Sequence, residues 1–176
     1  RVGKLKALSE ALRQHPIHGQ SGIGHTRWAT HGEPSEVNAH PHTDCTGRLA
    51  IVHNGIIENY AELKARLLKL GHTFRSKTAT EVVVHLIEEY AKQHPVAEAF
   101  RRALKDVRGS YAICLLAADE PEKIYGARSG SPLIVGVGKG ESLFASDATA
   151  ILGRTRQVIY LNDFEVVELT RSGPRL

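Results

Sequence analysis

Apolar positions fall into two regimes along the chain. In the first, Leu5, Leu8 and Leu12 recur at three- and four-residue intervals, which predicts a helix over about residues 3–14 that ends before His15-Pro16. Glu58 to Leu70 predicts a second helix closed by Gly71. Thr80 is placed to cap a third over residues 81–93, and Pro95 to open a fourth that runs to about Val107. The second regime starts after Gly109. Short apolar runs at 111–118, 123–128, 132–137, 142–146, 157–161 and 164–170 are separated by Gly, Pro or Asn-Asp turns and predict strands, with a helical turn at 147–152. An earlier run, RLAIVH at 48–53, predicts one more strand, ending at Asn54-Gly55. Strands joined by hairpins, with helices bunched between them, predict an α+β protein built on antiparallel sheet.

One stretch obeys neither period. His25 to His42, HTRWATHGEPSEVNAHPH, is too dense in polar groups to be core, and Gly32 and Pro34 break any regular helix. It reads as an ordered loop that uses its side chains for recognition. Arg27 offers a planar guanidinium suited to a carboxylate. Trp28 is placed to wall off water, and Thr30 and His31 to hydrogen-bond a polar substrate. Asn54 and Gly55 can aim a side-chain amide and a backbone N–H at one point, as an oxyanion hole does. Each has a plainer use: Arg27 on the surface, Trp28 in the core, Asn54-Gly55 as a hairpin turn. Their conjunction favours a site for a small amino acid or other carboxylate whose carbonyl is attacked.

Composition narrows the class. The 176 residues suit a single domain, and 41% hydrophobic with 24% charged residues is ordinary for a globular protein. No apolar run is long enough for a membrane span and no secretory signal opens the chain. Two cysteines, Cys45 and Cys114, are too few for a disulfide framework and fit a reducing, cytoplasmic setting. The net charge of +4 is spread among acidic residues, which argues against a nucleic-acid partner. With no methionine and an opening already in helical pattern, the chain is expected to be a piece of a longer protein, lacking its beginning and its end. Ten histidines raise a metal site, with His40 and His42 spaced H-x-H and His25, His31 and His53 nearby, but no Cys-x-x-Cys or His-Glu-x-x-His accompanies them, so none is expected.

The wording of the loop, with HNGIIEN (53–59), SKTATEVVVHLI (76–87), RGSYAI (108–113), ARSGSPLIVGVGKGESLFASD (127–147) and FEVVELT (164–170), resembles the glutaminase domains of glucosamine-6-phosphate synthases, the glutamine–fructose-6-phosphate aminotransferases (isomerizing). The resemblance covers essentially the whole chain, residues 1–176. It implies an N-terminal-nucleophile hydrolase fold, a four-layer αββα sandwich of two antiparallel sheets. It further implies that an N-terminal cysteine attacks the glutamine amide with its own α-amino group as base. Ammonia then passes to a sugar-isomerase domain of the same protein, a homodimer at full length, which converts fructose 6-phosphate to glucosamine 6-phosphate without a cofactor. On these terms Arg27 holds the glutamine carboxylate, Thr30 and His31 line the pocket, Asn54 and Gly55 form the oxyanion hole, and Trp28 sits near the mouth. His40 falls in the motif without a defined role.

Two departures qualify the resemblance. Arg1 aligns with a helix a few dozen residues into the family domain, so the opening strands and the nucleophilic cysteine are expected to lie outside this chain, which alone would then be inactive and unstable or self-associating. Neither Cys45 nor Cys114 has a free α-amino group to replace it; a papain-like pairing of Cys45 with His40 or His53 is the lesser alternative, and Cys114, in an apolar strand, reads as inert core. Ala79 stands where the family places an aspartate for the glutamine α-ammonium. A catalytically dead amino-acid-binding or scaffold domain is therefore the rival reading, with a His-rich metal-binding hydrolase behind it. The glycines of GVGKGE (136–141) are read as a hairpin turn rather than a phosphate loop.

Overall fold

The structure, a computed structural model, describes residues 2–28 and 32–176. The expected helices form as α1 (Leu5–Gln14), α2 (Tyr60–Lys69), α3 (Thr80–Ala91) and α4 (Val96–Asp106). The strands are β1 (His42–Thr43), β2 (Leu49–Ile57), β3 (Gly109–Ala117), β4 (Ile124–Ser129), β5 (Ile134–Val137), β6 (Ser142–Ala145), β7 (Val158–Tyr160), β8 (Val166–Thr170) and β9 (Gly173–Arg175), with a 3-10 turn at Ala148–Ala150. Six strands form one sheet in the order β1-β2-β3-β4-β8-β9 and three form another in the order β6-β5-β7. Every strand pair is antiparallel.

Two cores hold these layers together. On one face of the large sheet, Ile51, Ile57, Ile113 and Leu115 meet Leu63 and Leu67 of α2, Val82, Val83, Leu86 and Ile87 of α3, and Phe100 of α4. On the other face, Val52, Ala112, Cys114, Val167 and Leu169 meet Val135 of the small sheet and Leu133 and Leu161, which flank its strands β5 and β7. β3 is thus buried on both sides, which is why YAICLLAA reads as an unbroken apolar run. A fully buried isoleucine such as Ile113, 0% exposed, contributes about 1.5–3 kcal/mol. No helix among the described residues is long and apolar enough to cross a membrane.

The elements depart from the sequence expectations in four places. β2 does not end at Asn54-Gly55; it pairs with β3 through Ile57↔Gly109. Gly55 has φ +126°, and a Cβ there would lie 2.1 Å from the Ser110 carbonyl oxygen, so this glycine permits close strand approach rather than a turn. Thr80 is the first residue of α3 and Ala79 holds the N-cap position without a capping side chain, because the Thr80 hydroxyl bonds elsewhere. α1 buries none of its residues, leaving Leu5 63% exposed. β1 and β9 were not legible: two or three residues leave no period to read.

Candidate active site

β2 delivers His53, Asn54 and Gly55 to a cavity of about 510 Å³, whose remaining wall comes from the 25–28 segment and from Thr78, Ala79 and Thr80 at the start of α3. The loop is held by its own short-range bonds. Asn38, buried, donates from Nδ2 to the Glu33 carbonyl (3.0 Å) and accepts from the Lys77 N–H (2.9 Å), tying the loop to the approach to α3. Gly32, at φ +76°, passes so close that a Cβ would sit 2.9 Å from Asn38 Nδ2. Arg27 donates from Nη2 to the Gly32 carbonyl at 2.9 Å and from Nη1 to the Glu33 carbonyl at 3.4 Å, which fixes the guanidinium at the cavity wall.

The polar floor is a chain of imidazoles. His25 Nε2 lies 2.6 Å from Asn54 Oδ1; the amide oxygen accepts, so His25 carries its proton on Nε2. The His25 ring stacks on His40 with centroids 4.2 Å apart, and His40 meets His42 edge-on at 4.9 Å. Thr80 Oγ1 bridges His40 Nε2 (3.1 Å) and His53 Nδ1 (3.0 Å). A hydroxyl donates one hydrogen, so it serves both rings only if one of them donates to it in turn. Burial lowers His53 to about 4, against the pull of the Ser110 carbonyl. Burial, then the charges of His25, His42, His53 and Arg27, lowers His40 to about 2. His40 and His53 are therefore neutral at physiological pH.

Of the residues singled out in the sequence, Arg27, Trp28, His40, Asn54, Gly55 and Ala79 all line this one cavity. Thr30 and His31 lie outside the described residues. Trp28 is 87% exposed, on the rim rather than in a core. The sequence reading missed His25 as the partner of Asn54 and Thr80 as the hub between His40 and His53. The only signal for His25 was its place at the head of the motif; Thr80 was hidden by its suitability as a helix cap. Cys45 does not pair with His40 or His53: its Sγ lies 3.6 Å from His85 Nδ1 and 3.7 Å from His72 Nδ1. Cys114 is buried in β3, and burial pushes its thiol up to about 12. Residues 138–141 of GVGKGE form the β5–β6 turn, closed by Gly138 N–H to the Glu141 carbonyl at 2.9 Å.

Known proteins share both fold and wording. The chain is 54% identical over 171 residues to the glutamine–fructose-6-phosphate aminotransferase (isomerizing) of Thermococcus kodakarensis, covering 97% of this chain and 28% of that protein. It is 55% identical over 173 residues to the protein of the same name from Thermus thermophilus, covering 98% and 28% respectively. The chain thus spans about 28% of the length of these curated relatives. Among solved structures, the glutamine phosphoribosylpyrophosphate amidotransferase of B. subtilis superposes with a TM-score of 0.72 over 86% of this chain and 33% of its own, at 24% identity, which establishes the N-terminal-nucleophile hydrolase fold. The family described as "Glutamine amidotransferase domain" matches residues 25–153, the segment that builds the cavity floor, its loop wall and strands β1 to β6, and the chain belongs to that family.

Proposed function

We propose that the cavity binds glutamine and stabilises hydrolysis of its side-chain amide, and that in the full-length protein the ammonia is used to convert fructose 6-phosphate to glucosamine 6-phosphate. The observation that carries this reading is the 2.6 Å bond from His25 Nε2 to Asn54 Oδ1. It occupies the oxygen of the Asn54 amide and leaves the NH₂ end as the donor for an oxyanion. Gly55, next along β2, supplies a backbone N–H beside it. A preorganised pair of donors in a partly enclosed site is the arrangement that lowers the barrier to a tetrahedral intermediate.

Arg27, placed by the Gly32 and Glu33 carbonyls, takes the α-carboxylate, with Trp28 at the mouth of the pocket. His40 and His53, neutral and joined through Thr80, give this wall its shape without adding a charge. Neither Cys45 nor Cys114 lines the cavity, so the attacking thiolate is supplied from outside these 176 residues, by an N-terminal cysteine of the full-length protein. The names of the relatives, and the share of their length that this chain spans, support a separate sugar-handling domain in the full-length protein. The test is glutamate release by the full-length protein with and without fructose 6-phosphate. Arg27→Ala is expected to raise the KM for glutamine about ten- to a hundredfold, the loss of one charge-assisted hydrogen bond. Unchanged KM, or no glutamate release by the wild type, would overturn it.

A second reading, an amino-acid-binding domain without turnover, is favoured by one observation: Ala79, on the cavity wall, offers no group to an α-ammonium. Glutamine binding by calorimetry with no glutamate formed would select it.

A further inference from the structure

Outside the cavity, four side chains from three separate parts of the chain converge on one point. Cys45 comes from the β1–β2 turn, His72 follows α2, and His85 and Glu88 lie one turn apart on α3. One donor atom from each lies within 4.8 Å of all the others. The helix end places His72: Gly71 at φ +91° and the bonds His72 N–H to the Leu67 carbonyl and Gly71 N–H to the Leu68 carbonyl form a Schellman cap that turns the chain toward α3. We propose that Cys45, His72, His85 and Glu88 form a structural zinc site.

The distances fit that ion. A tetrahedral zinc with bonds of about 2.3 Å to sulfur and about 2.0–2.1 Å to imidazole nitrogen holds those atoms about 3.6 Å apart. Cys45 Sγ is 3.7 Å from His72 Nδ1 and 3.6 Å from His85 Nδ1. Glu88 Oε2 lies 3.0 Å from each Nδ1, a few tenths shorter than a zinc tetrahedron sets, and a small outward shift of one carboxylate restores it.

The surrounding groups orient the ligands as metal sites do. His72 Nε2 donates to Glu89 Oε2 at 2.8 Å, and His85 Nε2 faces Glu81 Oε1 at 3.5 Å. Glu81 is itself fixed by the N–H groups of Arg75 (2.8 Å) and Ser76 (2.7 Å) and by the Ser76 hydroxyl (2.6 Å). The Glu89 carboxylate on His72 Nε2 selects the tautomer whose Nδ1 lone pair points inward, and a slight closing of the 3.5 Å approach of Glu81 would do the same for His85. The Thr73 N–H donates to Cys45 Sγ at 3.5 Å, and the Cys45 N–H to Glu88 Oε2 at 3.2 Å, as suits a thiolate and an ionised carboxylate. With both Nδ1 atoms unprotonated these four acceptors face each other at ligand distances, and a cation between them satisfies all four. Two neutral imidazoles, a thiolate and a carboxylate balance Zn²⁺, with the thiol proton released to solvent on binding. A mixed nitrogen, sulfur and oxygen set with all four positions taken by protein favours zinc in a structural rather than a catalytic role.

Such an ion joins the β1–β2 turn and the end of α2 to α3, whose first residue, Thr80, holds His40 and His53 at the cavity. The protein purified without added metal is expected to retain one zinc per chain through dialysis. With Co²⁺ in place of zinc it should show a thiolate-to-cobalt charge-transfer band and the intense visible bands of tetrahedral coordination. Cys45→Ser should abolish the charge-transfer band and weaken zinc by about 100-fold or more, while Cys114→Ser leaves both unchanged. A measurement independent of variants is alkylation read by mass spectrometry, in which zinc protects Cys45 and a chelator exposes it. No retained zinc together with no tetrahedral cobalt spectrum would overturn the site, leaving the two histidines held by carboxylates alone. So would metal that binds equally well to folded Cys45→Ser, which would place it among the loop histidines.

Discussion

His25 Nε2 donates to Asn54 Oδ1 across 2.6 Å, linking the first residue of the polar loop to the middle of a strand 29 positions further on. The bond decides which end of the Asn54 amide faces a substrate. Asn54→Ala in the full-length protein is expected to lower kcat for glutamine hydrolysis by about 100- to 1,000-fold with little change in KM, as loss of an oxyanion donor does. His25→Ala removes the orienting bond and the ring stacked on His40 but leaves the Asn54 donor in place, so a drop of roughly three- to tenfold in kcat is expected. Steady-state glutaminase kinetics check both. A rise in KM without loss of kcat in Asn54→Ala would assign the amide to ground-state binding instead.

Ala79 lines the cavity at the N-cap position of α3. An aspartate there gains a charge-assisted hydrogen bond to an α-ammonium, a contribution of about 1.5–3 kcal/mol, equivalent to a ten- to hundredfold tighter Kd for glutamine. It also places a negative charge at a helix N-terminus, so Ala79→Asp should not lower stability. Titration calorimetry of the full-length protein with glutamine is the check, and an unchanged affinity would separate Ala79 from amine recognition.

How much of this was legible follows from the physics of each signal. The four helices and seven of the strands carry a period long enough to read. The two-residue β1 and the three-residue β9 do not. Asn54-Gly55 reads as a strand end because that dipeptide favours turns, yet pairing with β3 continues through it and the glycine answers the Ser110 carbonyl instead. The six described site residues gathered in one cavity because the motif keeps them near each other in sequence or at the head of α3. The Cys45, His72, His85 and Glu88 cluster left no such trace. Its members are 27, 13 and 3 positions apart, no short motif contains them, and only the Schellman cap after α2 and the packing of α3 bring them together.

The buried imidazoles set an acid limit on stability. In the folded chain His53 is lowered to about 4, by burial first, with the Ser110 carbonyl opposing and His25 and His42 adding. His40 is lowered to about 2, by burial and by His25, His42, His53 and Arg27. Both return to their ordinary value of 6.5 on unfolding. Between those values the unfolded chain binds more protons, so stability is complete above pH 6.5 and falls as the pH drops toward 4, by up to about 1.4 kcal/mol per pH unit for each histidine. His53 adds no further loss below 4. Urea midpoints at pH 7.5 and pH 5 measure the slope, and an equal or higher midpoint at pH 5 would contradict neutral burial.

Gly55 and Gly140 separate two reasons for a glycine at positive φ. Gly140 has φ +70° in the β5–β6 turn and a Cβ there would meet nothing within 4 Å, so Gly140→Ala meets only the backbone penalty, about 1–2 kcal/mol. At Gly55 the φ of +126° is joined by a Cβ position 2.1 Å from the Ser110 carbonyl oxygen and 3.0 Å from Ser131 Oγ, which only separation of β2 from β3 relieves. Gly55→Ala is therefore expected to cost about 3–5 kcal/mol, and the residual folded protein to lose glutaminase activity because Asn54 rides on the same strand. Chemical denaturation of the two variants side by side measures the difference. If Gly55→Ala were no more destabilising than Gly140→Ala, β2 and β3 would not approach this closely, and the donor pair at Asn54 and Gly55 would lack the rigid support that an oxyanion hole requires.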